Sequence, residues 1–154
     1  MRLRNRQEFH HFESSILLVL IVVAASLTFP AYATDPTILT GIVTHVRDGD
    51  TIEVGKIPIR LNGVSAPELK EPLGPRAKQF MRDLVNGKSV RCELTGAKTY
   101  DRLVGTCYLG GRDIGEAVIS AGLALDCPRY SGGRYAQDEL ASTRGAIKLP
   151  EYCE

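Results

Sequence analysis

Three short polar segments of this 154-residue chain hold side chains whose types and spacing could do chemistry. The first is Val46-Arg47-Asp48-Gly49-Asp50-Thr51, where two carboxylates flank a glycine. A hard cation takes oxygen ligands, and such a turn can present them. The same Asp-Gly-Asp also reads as a plain hairpin turn. The second runs from Arg60 through Leu61-Asn62-Gly63-Val64-Ser65-Ala66-Pro67 to Glu68. Arg60 falls on the polar face of a strand between apolar Ile59 and Leu61. Glu68 follows Ala66-Pro67, so its backbone is restricted and its carboxylate is placed. The third, Tyr100-Asp101-Arg102-Leu103, leads from a hairpin into a strand. Taken singly, the second segment reads equally as a surface salt bridge, and the third as a solvated turn. Together they meet one chemical demand. Hydrolysis of a phosphodiester asks for a base to activate water, a cation near the attacked phosphate, and positive charge on the pentacoordinate transition state. Glu68, the acidic turn, Arg60 and Arg102 supply that set. Arginine suits the last role because its planar fork grips two phosphate oxygens at once.

Residues so far apart in sequence need a frame to bring them together. Ile42, Thr44 and Val46 alternate with their neighbours, and strand character resumes at Thr51, Ile52 and Val54, so the Asp-Gly turn joins two strands. Gly55-Lys56 turns the chain into a third strand carrying Ile57, Ile59 and Leu61. Gly63 to Pro72 is punctuated by Gly and Pro and predicts an ordered loop. Pro75 suits a first helical position, and Ala77, Phe80, Met81, Leu84 and Val85 make one apolar face. Asn86-Gly87 ends that helix. Val90, Cys92 and Leu94 predict a fourth strand, and Leu103 to Leu109 a fifth. A second helix is expected over Asp113 to Ala121, and a third from Tyr135 to Arg144, ending at Gly145. The fold class expected is α+β, a five-stranded OB-type Greek-key barrel with about three helices. Such barrels mostly bind things, so the order of elements alone does not name a function.

The length suits one domain preceded by an export signal. Arg2, Arg4 and Arg6 form a basic start, and Ser15 to Leu27 is almost wholly apolar. That run is shorter than the roughly 20 residues that span a bilayer. Ala31-Tyr32-Ala33 follows as a small-x-small cleavage site. A signal peptide over residues 1–33, a linker over 34–39 and a domain over 40–154 are therefore expected. After cleavage no stable membrane anchor would remain, and the protein would be periplasmic or secreted. Beyond Ala33, basic and acidic side chains are equal in number. A nonspecific nucleic-acid binder usually carries a basic excess, so any polyanion site must be a local cluster. Cys92, Cys107, Cys127 and Cys153 all lie in the expected domain. An even count in a small exported domain favours disulfides, and no spacing suggests zinc. Three pairings are open on sequence grounds.

With these motifs in view, the chain resembles the staphylococcal nuclease (thermonuclease) family. That family's pattern is Asp-Gly-Asp-Thr, then Arg-Leu-x-Gly-x-Asp-x-Pro-Glu, then Tyr-Gly-Arg, and the similarity runs from about Thr40 to Tyr152. The resemblance implies an OB-type barrel and calcium-dependent cleavage of DNA and RNA. It implies that Asp50 is a calcium carboxylate with Asp48 behind it, and that Ala66 offers its backbone carbonyl. Arg60 and Arg102 would hold and neutralise the phosphate, and Glu68 would be the general base. Tyr100 and Tyr130 resemble tyrosines that contact the bound nucleotide. Under the same fold, Cys92 and Cys107 fall on neighbouring antiparallel strands, which implies Cys92–Cys107 and Cys127–Cys153.

The chain also departs from the pattern. Ser65 stands where the family has its second calcium carboxylate, Asp101 where it has Gly, and Thr99 where it has Lys. A serine hydroxyl is a poor substitute for a carboxylate at a hard-cation site, so weak calcium binding is expected. Asp101 could lend a carboxylate to the cation or pair with Arg102. The first functional expectation is an exported, monomeric, metal-assisted nuclease, attenuated to the extent that Ser65 weakens the metal. The alternative is a noncatalytic OB-fold module that binds nucleic acid or a protein partner. A structural envelope protein with a vestigial site is a third.

Overall fold

The computed structural model describes residues 35–154. The expected signal peptide, residues 1–33, lies outside the described residues. In chain order the strands are β1 (Thr37–Val46), β2 (Thr51–Val54), β3 (Ile57–Leu61), β4 (Val64–Ser65), β5 (Ser89–Thr99), β6 (Arg102–Leu109), β7 (Arg112–Asp113) and β8 (Leu125–Asp126). The helices are α1 (Gly74–Val85), α2 (Ile114–Ser120), α3 (Pro128–Ser131) and α4 (Ala141–Ala146), followed by a 3-10 turn over Glu151–Cys153. Five strands run in the order β3-β2-β1-β5-β6, with β7 beyond β6. A parallel pairing of β3 with β6 (Ile59↔Leu103, Leu61↔Gly105) closes them into a barrel, which is the OB-type architecture expected. Closure leaves no free edge among these five strands.

Strand β1 begins earlier than the sequence pattern suggests. Thr37, Ile38 and Leu39 pair with Leu94, Glu93 and Cys92 of β5, where a linker through residue 39 was expected. Its alternation also shifts within the strand. A bulge between Val43 and His45 puts both Val43 and Val46 in the core, three positions apart, and leaves Ile42 50% exposed. A straight strand could not do this, because its faces alternate with period two.

Helix α1 packs Ala77, Met81 and Val85 into the barrel mouth, as its apolar spacing predicts. Those residues join Val43, Val46, Ile52, Ile59, Leu61, Ile114, Val118 and Ile119 in one core. Asp113 caps α2, its Oδ1 accepting the N–H groups of Gly115 (2.8 Å) and Glu116 (3.3 Å). The third helix is shorter and later than expected. Helix α4 starts at Ala141, and residues 135–140 form turns. There Tyr135 is buried and its hydroxyl donates to Asp113 Oδ2 at 3.0 Å, while Glu139 accepts the N–H of Asp126 at 2.5 Å. These tertiary bonds hold the segment where helical periodicity alone would have wound it. Both expected disulfides form, Cys92–Cys107 across β5 and β6 and Cys127–Cys153 from the start of α3 to the chain's last turn.

Candidate active site

Gly49 explains why the Asp48-Gly49-Asp50 turn sits where it does. A Cβ at this position would lie 2.6 Å from the Cβ of Ala66 and 2.7 Å from that of Ala77. Only a glycine lets the turn wedge between the loop after β4 and helix α1. The N–H of Asp50 then donates to Asp48 Oδ1 at 3.0 Å, and the N–H of Arg47 to the Thr51 carbonyl at 2.9 Å, closing the turn.

Asp50 lies at the centre of the resulting network, 4% exposed. Its Oδ1 accepts from Arg60 Nη1 at 2.6 Å and from Thr51 Oγ1 at 3.0 Å, and its Oδ2 accepts the Ala66 N–H at 3.1 Å. Arg102 Nη1 donates to the same Thr51 hydroxyl at 3.0 Å. One carboxylate thus ties the turn, β3 and the loop after β4 together, and Thr51 extends the tie to β6. Burial pushes the Asp50 carboxyl up to about 6, and the charge of Asp48 adds to this. Arg60, the Ala66 N–H and the Thr51 hydroxyl pull the other way without cancelling it.

Arg60 projects from β3 on the face opposite Ile59 and Leu61, which are buried. Besides Asp50 it donates to the Val64 carbonyl at 3.3 Å. Five N–H donors on a guanidinium leave others for a ligand, and the same holds for Arg102. Arg102 opens β6 after a two-residue turn, Tyr100-Asp101. Tyr100 adopts a left-handed backbone (φ 55°), uncommon for a residue with a side chain, and its ring is 95% exposed. The Arg102 guanidinium stands 5.8 Å from that ring's centre.

Glu68 is held by its backbone and free at its side chain. Its N–H donates to Glu71 Oε2 at 2.6 Å and its carbonyl accepts the Glu71 N–H at 2.8 Å. Gly74 makes room for this tight turn, since a Cβ there would meet the Glu68 carbonyl oxygen at 1.9 Å. Among the described residues the Glu68 carboxylate forms no ion pair and no hydrogen bond.

Asp48, Asp50, Arg60, Ala66, Glu68, Tyr100, Arg102 and Tyr130 all line one cleft of about 830 Å³. Ser65 does not. It is 3% exposed on β4, where it pairs with Leu125. Asp101 meets neither the cation site nor Arg102 through a hydrogen bond. Its carboxylate accepts from Arg47 Nη1 at 2.8 Å, and that bond draws it below the usual carboxylate range. Arg47 also holds Glu53 at 2.7 Å. Sequence reasoning missed Arg47, Thr51 and this pairing. Only Thr51 left a signal, as the fourth residue of the Asp-Gly-Asp-Thr motif.

The donor set suits a hard divalent ion. Asp48 and Asp50 place two carboxylates in the cleft lining, the oxygen chemistry a hard cation takes, and both Asp50 oxygens already accept hydrogen bonds from Arg60, Thr51 and Ala66. The set has one carboxylate fewer than the resemblance implies. Among the described residues no group of three His, Cys, Asp or Glu side chains gathers for a metal.

A family profile described as Staphylococcal nuclease homologue matches residues 58–146. A succinoglycan biosynthesis protein of Rhizobium meliloti (strain 1021) is 32% identical over 139 residues, covering 82% of this chain and 71% of that protein. An uncharacterized endonuclease of Escherichia coli O157:H7 is 34% identical over 96 residues, covering 59% of this chain and 63% of that protein. A probable staphylococcal-like nuclease of Oryza sativa subsp. japonica is 34% identical over 82 residues, 53% of this chain but 25% of that longer protein. By profile, identity and closed barrel, the chain belongs to the staphylococcal nuclease homologue family.

Proposed function

We propose that this protein is a metal-assisted nuclease that hydrolyses phosphodiester bonds in DNA, RNA or both. The observation that carries the reading is convergence. Asp50, Arg60, Glu68 and Arg102 come from separate segments and all line one cleft, which supports their acting on one phosphate. Glu68 is the candidate general base: its main chain is anchored and its carboxylate is unengaged, so it can take a proton from water beside a bound phosphate. Arg60 and Arg102 are the candidate electrostatic groups. Asp50 and Thr51 orient them before substrate arrives, so little reorganisation is needed as charge builds on the phosphate. Calcium is the ion the resemblance implies. Asp50 and the Ala66 carbonyl would hold it, with Asp48 behind, and it would supply charge and Lewis acidity to the phosphate. Ser65 adds no carboxylate, so the affinity should be low. Tyr100 and Tyr130 are candidates to contact the nucleotide.

Export to the periplasm or medium belongs to the same proposal. Two disulfides support it, because they persist in oxidising compartments. Among the described residues no helix is long and apolar enough to cross a membrane. We propose a monomer.

The direct test is hydrolysis of single-stranded DNA with and without calcium, for wild type, Glu68→Ala and Arg102→Ala. A loss of about 100-fold or more is expected for Arg102→Ala. Equal cutting by wild type and Glu68→Ala would sink the base assignment. Two observations favour the alternative, a noncatalytic OB-fold module: Arg60 is spent partly on Asp50, and Ser65 lies outside the cleft lining. Tight oligonucleotide binding with no turnover under any divalent ion would select that reading.

A further inference from the structure

The chain's last turn enters the same cleft. The Cys127–Cys153 disulfide joins the residue before α3 to the 3-10 turn Glu151–Cys153, with Cα atoms 4.7 Å apart and Cys153 fully buried. The turn packs on α3, and Cys127 itself lines the cleft. The residues flanking the disulfide face outward. Arg129 and Tyr130 on one side and Tyr152 on the other line the cleft that also holds Arg60 and Arg102. Both tyrosine rings are about half exposed. Among the described residues Arg129 forms no ion pair.

We propose that Tyr152 and Arg129, beside Tyr130, form a stacking subsite for an unpaired base of a single-stranded nucleic acid. The subsite is built on the C-terminal turn and held in place by the Cys127–Cys153 disulfide. It rests on the nucleic-acid reading above and deepens it by naming the strand state preferred. The chemistry is that of a flat apolar face beside an uncompensated cation. Every base offers a π-face to an aromatic ring, and its phosphate offers charge to the guanidinium. A duplex hides those faces between base pairs, so the subsite selects single strands. The disulfide matters because a short turn with few long-range bonds moves unless something ties it down. The turn's own backbone bonds are local, Cys153 N–H to the Pro150 carbonyl and Glu154 N–H to that of Glu151. Apart from the main chain at Pro150, the Cys153 disulfide is its covalent link to the domain body.

Binding can be read without turnover by fluorescence anisotropy of a labelled oligothymidylate in EDTA, using the full domain with its disulfides formed. Tyr152→Ala should weaken binding about tenfold, the usual size of one lost base–aromatic stack, and Tyr152→Phe should restore it. Cys127→Ser/Cys153→Ser should weaken binding as much as Tyr152→Ala, and adding Tyr152→Ala to it should cost nothing more. Arg129→Ala should reduce the slope of log affinity against log salt by about 0.7, one single-strand phosphate contact. For blunt duplex DNA the effect of Tyr152→Ala should be much smaller. Three results would each overturn the subsite: Tyr152→Ala within twofold of wild type, Tyr152→Phe as weak as Tyr152→Ala, or equal losses on single and double strands. Should the disulfide variant not fold, the two Tyr152 variants decide the matter alone. If wild type binds no oligonucleotide, the nucleic-acid reading falls and the subsite with it. If wild type binds and cuts while Tyr152→Ala matches it, only the subsite falls.

Discussion

Gly49→Ala would add a methyl group 2.6 Å from the Cβ of Ala66 and 2.7 Å from the Cβ of Ala77. Carbon atoms rest about 3.5–4.0 Å apart, so one side must give by about 1 Å. Neither neighbour has a rotamer to turn, because an alanine Cβ moves only with its backbone. Gly49 is not among the glycines with a left-handed backbone, so the penalty is steric and not torsional. Ala77 is buried in α1 with its N–H bonded to the Leu73 carbonyl at 2.9 Å, which makes the helix the stiffer wall. The displacement therefore goes into the turn and the loop after β4, which are joined by the Ala66–Asp50 bond. Overpacking of this kind costs about 1–3 kcal/mol, of which about 0.4–1 is offset because alanine stiffens the unfolded chain. A net loss of about 1–2 kcal/mol corresponds to a fall in Tm of about 3–8 °C for a domain of this size. The catalytic loss should be larger in proportion, since a 1 Å misplacement of positioned groups can cost about 100-fold. Thermal unfolding by circular dichroism and single-turnover cleavage of single-stranded DNA measure the two effects. Adding Ala77→Gly removes one of the two clashes but costs about 1 kcal/mol in the helix interior. The double variant should recover part of the rate without recovering Tm. Unchanged Tm and rate in Gly49→Ala would refute the wedge, as would a lost rate that Ala77→Gly leaves untouched.

Ser65→Asp should place a carboxylate at a buried position outside the cleft lining. It should lower stability by a penalty on the order of 3 kcal/mol with or without calcium; a Tm that calcium restores would show instead that position 65 reaches the cation site. Loss of the Cys127–Cys153 disulfide, which closes a 26-residue separation, should cost about 3.5 kcal/mol in urea unfolding under non-reducing conditions. A cost below about 1 kcal/mol would mean that the tail is held by packing alone. Asp113→Ala removes both the cap of α2 and the acceptor of the buried Tyr135 hydroxyl. The two losses add to about 2–4 kcal/mol by denaturant melts, and Asp113→Asn should keep most of it.

Much of the barrel could be read along the chain because its signals are local. Asp48-Gly49 marks a turn, Ile59 and Leu61 share one face of a strand, and Ala77, Met81 and Val85 recur at helical spacing, each set within a dozen residues. The residue types for phosphodiester chemistry were equally visible, since Arg60, Glu68 and Arg102 keep their spacing to glycines and prolines that constrain the backbone around them. The misreadings share one cause. The bulge in β1 exists because Val43 and Val46 must both reach the core as the sheet curls, which no period-two pattern encodes. Residues 135–140 have helical spacing, yet Tyr135 and Glu139 bond to Asp113 and Asp126, partners more than ten positions away.

The site itself divides along the same line. Side-chain chemistry belongs to the residue and survives in any fold, so which groups could act was evident from their types. Which groups are free to act depends on partners supplied by distant segments. Asp101 is captured by Arg47, 54 positions away, and forms no hydrogen bond to Arg102. Ser65 is turned into β4 and out of the cleft lining. Tyr152 lines the cleft beside Tyr130, 22 positions away, next to a disulfide that joins Cys153 to Cys127. Pairing, burial and convergence are properties of distances between segments, and those distances exist only once the barrel has closed.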